Sequence, residues 1–319
     1  MSGGWRAVVG VAVWLVSVMP RVPSLHHGAW GHALVGFAAL VLVPLAIEVA
    51  DRPGRVAGAR QLLGWAARLQ LPGALLLVVA LRLTPGPGAM LAAALWCAVL
   101  GLIATSGGVQ LWKTAENRAV AWCNEAGLVF AAVGAVWLLA DRAGIRPLGF
   151  SEDIVLLTAV HFHYAGLIMP VLASRALEAV RPGRASTAIA LAVVAGVPAV
   201  AVGITATQWG MSVGIEASAA LLMSGAGAAV AMVHVWLGVA TRRAVLVRCL
   251  WVAAGCSLAA GMVLSALYGL RGYFAPWPWL DIPWMRALHG SVNAIGFAGC
   301  GTVAWWVGLK KGRRLGAAE

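Results

Sequence analysis

"TAIALAVVAGVPAVAVGITAT", Thr187–Thr207, runs for twenty-one residues without a charged side chain. As an α-helix it would be about 32 Å long, enough to cross a hydrocarbon core of about 30 Å. Its apolar residues lack the period-two alternation of a barrel strand, and such a strand needs only about 9–11 residues. Backbone groups in lipid must bond within their own helix or within a closed barrel, so the stretch reads as a transmembrane helix. The same pattern recurs along the chain, at about 5–19, 30–50, 62–83, 88–112, 118–140, 152–173, 187–207, 215–239, 249–270 and 285–308.

The expectation is therefore an all-α, polytopic transmembrane helix bundle of about ten spans. The first span is short and the third contains Arg68, so nine is the alternative. Loops are short, and residues 1–319 read as a single integral domain, multi-pass in the cell membrane. Composition agrees: 61% of residues are hydrophobic and 11% charged, against about 45–50% and about 25% in soluble domains. No small-residue cleavage site follows the first apolar run, which reads as a span rather than a removed signal.

The net charge of +12 does not point to nucleic acid, because the basic residues are scattered through short loops. They set orientation instead. With the C-terminus inside, sixteen of the 23 Lys and Arg residues fall in the N-terminus, 51–61, 113–118, 174–186, 240–248 and the tail. Cytoplasmic loops carry such an excess, so both termini are expected to be cytoplasmic. The five cysteines all lie in apolar runs without metal-ligand spacing and read as small buried hydrophobes. "YFAPWPWLDIPW", Tyr273–Trp284, reads as an aromatic loop at headgroup level.

Ionisable groups inside a span are costly and usually face the bundle interior or a wet cavity. "TAVHFHYAGLIMP", Thr158–Pro170, places His161 and His163 near mid-depth of the sixth span. Two residues apart on a helix, they point about 200° apart. Asp153, Leu157, His161 and Tyr164 share one stripe, so His161 is the expected cavity residue. His163 is expected to hydrogen-bond a neighbouring helix, unless a π-bulge changes the phase. Glu152 and Asp153 read by default as N-terminal caps of that span.

In "RALHGSVNAIGF", Arg286–Phe297, His289 and Asn293 are four residues apart and share a face. Gly290 and Gly296 leave room for another helix, and Asp281 and Arg286 lie at the mouth. Glu216 in "VGIEASAA" and His32 in "HHGAWGH" lie toward the same outer side. Glu125 in "WCNEAGL" and His234 lie in the inner half. The candidate catalytic set is His161, His289, Asn293, Glu216, Asp153 and Tyr164. His163, His32, Glu125 and His234 form a secondary polar set, for which interhelical hydrogen bonding is the plainer role.

"LTAVHFHYAG", followed far downstream by "LHGSVNAIGF", resembles the YndJ-like integral membrane proteins. The resemblance is best from Glu152 to Trp306. It implies that His161, His163, His289 and Asn293 form a shared polar core. It carries no settled activity, although such proteins are sometimes labelled transporters.

Three functions compete. The first is an enzyme using histidine and carboxylate acid–base chemistry on a lipophilic substrate, as an isomerase, cyclase or hydrolase. No nucleophile, nucleotide or flavin motif is present. The second is a proton-coupled transporter or permease. Gly/Pro-interrupted "VAGVPAVAVG" and "QLPGALLL" favour it, and the lack of an internal repeat counts against it. The third is a haem or metal protein with His161 and His289 as ligands from facing helices. No cofactor is assigned, and haem or metal is left open. The expected partners are the lipid bilayer and a lipophilic small molecule or transported solute. Oligomeric state is not readable.

Overall fold

The computed structural model describes residues 2–113, 119–180, 183–274 and 277–315, the last five by backbone alone. Arg118, Arg181 and the side chains of Lys311, Arg313 and Arg314, counted in the charge distribution, lie outside this description, as do Ala275 and Pro276 of the aromatic loop. The described residues hold ten helices long and apolar enough to cross a membrane, and no strand. They are α1 (Gly3–Arg21), α2 (Ala29–Ala50), α3 (Ala57–Ala80), α4 (Pro87–Lys113), α5 (Ala119–Ala143), α6 (Glu152–Ala179), α7 (Arg184–Gln208), α8 (Val213–Ala240), α9 (Val245–Gly269) and α10 (Ile282–Lys310). Among the described residues the helices long and apolar enough to span number ten, not nine. The third begins five residues earlier than its hydropathy suggests, and Arg68 lies exposed on its surface, over the ring of Trp65.

Two helices are interior. The most apolar window of α2 is 89% buried and that of α6 is 72%, against 28% for α1 and α7. Around them runs a ring in which α1 packs on α3, α3 on α4, α4 on α5, α5 on α7, α7 on α8, α8 on α9 and α9 on α10. Trp306 of α10 reaches Gly4 of α1 and completes it. Glu48, near the end of α2, accepts from the Gly3 backbone N–H and from the Trp306 indole, 2.7 Å away. Both ends of the bundle therefore lie on one face, here the terminal face. The opposite face is the distal face.

Burying α2 creates a local problem, since the last four carbonyls of a helix have no partner within it. Basic side chains solve it. Arg175 bonds the Val49 carbonyl, Arg55 bonds that of Ala50 at 3.1 Å, and Arg55 also pairs with Glu125 at 2.7 Å. Positive charge at a helix C-terminus also suits the dipole.

Five stretches widen into π-helix: Trp14–Val18, Ala38–Leu42, Phe162–Ile168, Arg286–Gly290 and Val292–Gly299. The first three end two residues before Pro20, Pro44 and Pro170. Proline has no N–H for the carbonyl four residues back, and its ring crowds that carbonyl, so the turn opens. Pro72 and Pro198 sit in α3 and α7 without widening, so proline permits the π turn without dictating it. In α10, Asn293 Nδ2 donates to the His289 carbonyl at 3.0 Å, competing with the backbone for that acceptor. The π turns of α2, α6 and α10 pack against one another. Single π turns concentrate at functional sites.

Cys97 and Cys123 are buried as expected, but Cys249 and Cys256 lie on the outer surface of α9 and Cys300 is half-buried. Apolar sequence near a cysteine marks a lipid-facing side as readily as a core.

Candidate functional site

A cavity of about 320 Å³ runs from the distal face to mid-depth, between the interior helix α6 and α7, α8, α9 and α10. Most of its wall is apolar, with Met169, Met223 and Phe297 among the deeper residues. The structure brings together in its lining five of the six residues singled out as catalytic candidates: His161, Tyr164, Glu216, His289 and Asn293. It does not bring Asp153 there. Asp153 stands at the mouth, half-exposed, 3.3 Å from Arg286. Nor does it cap α6, since Ser151 accepts from the Ile154 N–H instead, with Glu152 and Asp153 in the first turn.

The phase of α6 separates its histidines. His161, just before the π turn, faces the cavity, where its Nε2 is buried without a hydrogen-bond partner. His163 faces the other way. Its Nδ1 donates to the Ala159 carbonyl at 2.7 Å, and its Nε2 accepts from the Trp96 indole of α4 at 3.1 Å. The π turn begins too late to bring the two rings onto one side. Tyr164 shares the cavity, but its hydroxyl is already committed to the Leu34 carbonyl of α2 at 2.8 Å.

On α10, His289 Nδ1 donates to the Gly261 carbonyl of α9 at 2.9 Å. That bond leaves the Nε2 lone pair as the basic site of the ring. The Asn293 amide lies against this imidazole, its Nδ2 at 3.3 and 3.4 Å from the ring nitrogens. Because the His289 carbonyl only accepts, the amide nitrogen must face it, which fixes Oδ1 on the other side. Asn293 Oδ1 is buried and without a partner. An unpaired buried polar atom costs about 1–3 kcal/mol. Gly261 makes the arrangement possible: a Cβ there would lie 2.4–2.7 Å from the Asn293 amide. Trp30 of α2 donates to Ser291 of α10 at 2.9 Å and fixes the two helices across the cavity's edge.

Glu216 is fully paired. Arg271 meets it with two bonds, 2.7 and 3.0 Å, and Thr207 donates at 2.6 Å. Partial burial works against the charge on Arg271, but the hydrogen bond and charge of Glu216, with Tyr268, outweigh it and hold its pKa above the ordinary value. The remaining candidates lie apart. His32 Nε2 accepts from Arg142 at 3.0 Å. Glu125 is in the Arg55 pair near the terminal face, with Asn124 donating at 2.7 Å. His234 repeats the His163 device, giving Nδ1–H to the Val230 carbonyl at 2.9 Å and accepting from the Trp305 indole at 3.3 Å.

A model for the YndJ-like protein family matches residues 33–297. The chain belongs to the YndJ-like family. The match takes in α2 to α5 as well as the half that carries His161 and His289, so it reaches further toward the N-terminus than the resemblance read from Glu152. A relative from Bacillus subtilis (strain 168), named "Uncharacterized membrane protein YndJ", is 36% identical over 63 residues, which are 20% of this chain and 12% of the relative. The chain thus aligns with a small part of that relative's length. No solved structure matches. The ten apolar helices and a relative named as a membrane protein make this a multi-pass membrane protein, and family membership leaves its chemistry to the site.

The partners that define the site were not legible beforehand. Trp96, Trp305, Gly261 and Arg271 belong to no motif around the histidines. Only contact between distant helices gives them roles.

Proposed function

We propose that the chain is a membrane-embedded enzyme that works by histidine acid–base chemistry on a lipophilic molecule held in the distal cavity. The observation that carries this reading is the convergence of His161, His289 and Asn293 on one largely apolar cavity, with the buried His161 Nε2 and Asn293 Oδ1 unpartnered. Ligand sites are typically apolar hollows with a few convergent polar groups. Placing the Lys- and Arg-rich terminal face in the cytoplasm opens the cavity toward the outside.

His289 suits the part of base. Gly261 holds its Nδ1–H, so Nε2 can take a proton from the bound molecule and return it at another atom, completing an isomerisation or cyclisation without a co-reactant. His161 suits the part of a hydrogen-bonding partner to the charge that develops. The transporter reading has weaker support, because the polar groups that would extend a path are engaged: His234 with Trp305, and Glu125 with Arg55.

The test is mass spectrometry of lipophilic molecules co-purified with the intact chain, followed by incubation of each with protein in nanodiscs. The expected result is a bound species converted to an isomer by the native chain and not by His289→Gln. Proton-gradient-driven uptake into vesicles, retained in His289→Gln, would overturn the reading.

A further inference from the structure

Resting on the cavity reading above, we infer that the ligand is a single-chain amphiphile lying tail-inward, its polar head at the distal rim and its tail end on a floor of methionines that limits the tail's length. The first reason is how polarity changes with depth. Near the rim the lining holds Tyr268 and Glu216, the latter paired with the partly exposed Arg271. The deep end holds Met169, Met223, Met262 and Phe297. His161 and His289 lie between, about 10 Å along their helices from Ile154 and Ile282 at the rim and about 12 Å from Met169 and Phe297 at the floor. A head group is matched above the histidines and only an apolar chain below them. The atoms they face therefore lie part-way along the ligand.

The second reason is shape. A volume of about 320 Å³ holds roughly ten groups the size of a water molecule. Spread over roughly 22 Å of depth, they stand nearly in single file. That admits one chain, whereas a fused ring system or a pair of tails needs more width.

The third reason is how the floor is built. Met169, Met223 and Met262 come from α6, α8 and α9, and all three are buried. Glycines of neighbouring helices seat their thioethers. A Cβ at Gly196 of α7 would lie 2.8 Å from Met223 Sδ, and one at Gly227 of α8 would lie 2.4 Å from Met262 Sδ and 3.5 Å from the Met169 methyl. Next to this floor the Phe297 ring meets His234 edge-on, 5.6 Å between centroids, and His234 accepts from the Trp305 indole. The deep end is therefore closed by packed side chains. Unbranched thioethers adapt to a chain end, and the floor lies where the glycines let them withdraw.

The experiment photolabels the intact chain in nanodiscs with straight-chain primary alcohols, from octanol to hexadecanol, each carrying a diazirine at the tail end. Peptide mass spectrometry maps the label. The expected result is label on the floor methionines, competed by excess 1-decanol, up to a limiting length beyond which it falls by roughly tenfold as added methylenes overpack the floor. Met223→Ala should move that limit to longer chains. Gly227→Ala, which drives the Met262 and Met169 thioethers toward the cavity, should move it to shorter ones, and octanol labelling in each variant shows that it folds. A limit that neither variant moves, or competed label confined to the rim at every length, would overturn the tail-inward inference and leave the cavity reading standing. Absence of competed label anywhere in the cavity lining would overturn both.

Discussion

His163 gives its Nδ1 proton to Ala159 and takes an indole N–H from Trp96, whereas His161, two residues earlier on the same helix, has neither kind of partner. The contrast recurs on the other side of the bundle. His234 is held by Val230 and Trp305, while His289, tied to Gly261 by one nitrogen, keeps the other toward the cavity. Two of these four rings act as struts between helices and two face a ligand-sized space. The residue type is the same throughout. What differs is whether a tryptophan from a neighbouring helix completes the ring's hydrogen bonding.

That contrast can be broken by removing the tryptophans. Trp96→Ala and Trp305→Ala should each lower stability by about 3–5 kcal/mol, because a buried ring leaves a void as well as an unpaired histidine. Denaturation of the purified chain in mild detergent measures it, and a loss no larger than that of a lipid-facing control such as Trp236→Ala would make the strut role wrong.

A finer test keeps the ring and deletes the donor. Trp305→Phe should cost about 1–3 kcal/mol, since His234 Nε2 is left buried and unpaired. His161→Phe should cost nothing measurable, or stabilise, because the nitrogen it removes has no partner in the protein. If both variants lose stability equally, the two classes of histidine are not distinct.

Gly261→Ala probes the boundary between them. The added methyl meets the Asn293 amide, so overpacking should cost about 1–3 kcal/mol and displace Asn293 from the cavity. A stability equal to that of the native chain would show that Asn293 is not held where its neighbours place it. The smallest effect belongs to Asp153→Asn at the mouth, where a half-exposed ion pair should contribute less than about 1 kcal/mol. A larger loss, read as a shift in unfolding midpoint, would mean that Arg286 depends on this carboxylate to stay buried.

Helical phase separated His161 from His163, and the four-residue spacing put His289 and Asn293 on one face, because both relations lie within a single helix. The limits are equally physical. Glu216, read from depth alone, is in the cavity wall but neutralised by Arg271, fifty-five residues away. Asp153 shares the His161 stripe but pairs with Arg286 at the mouth and lies outside the cavity lining. Tyr164 has the right phase, yet a carbonyl of α2 takes its hydroxyl. Stripe and depth locate a side chain and say nothing of what another helix offers it.

By itself the sequence determined a bundle of about ten membrane-crossing helices, with nine the alternative, because a span's length and apolarity answer to bilayer thickness and not to its neighbours. It also determined which side chains share a face within each helix. Only the tertiary structure decided that α2 and α6 are interior, that the π turns of α2, α6 and α10 meet, and which polar groups are satisfied. Hydrogen-bond partners 28 to 71 residues apart are set by how helices pack, and packing in lipid depends on shape complementarity that no single span encodes.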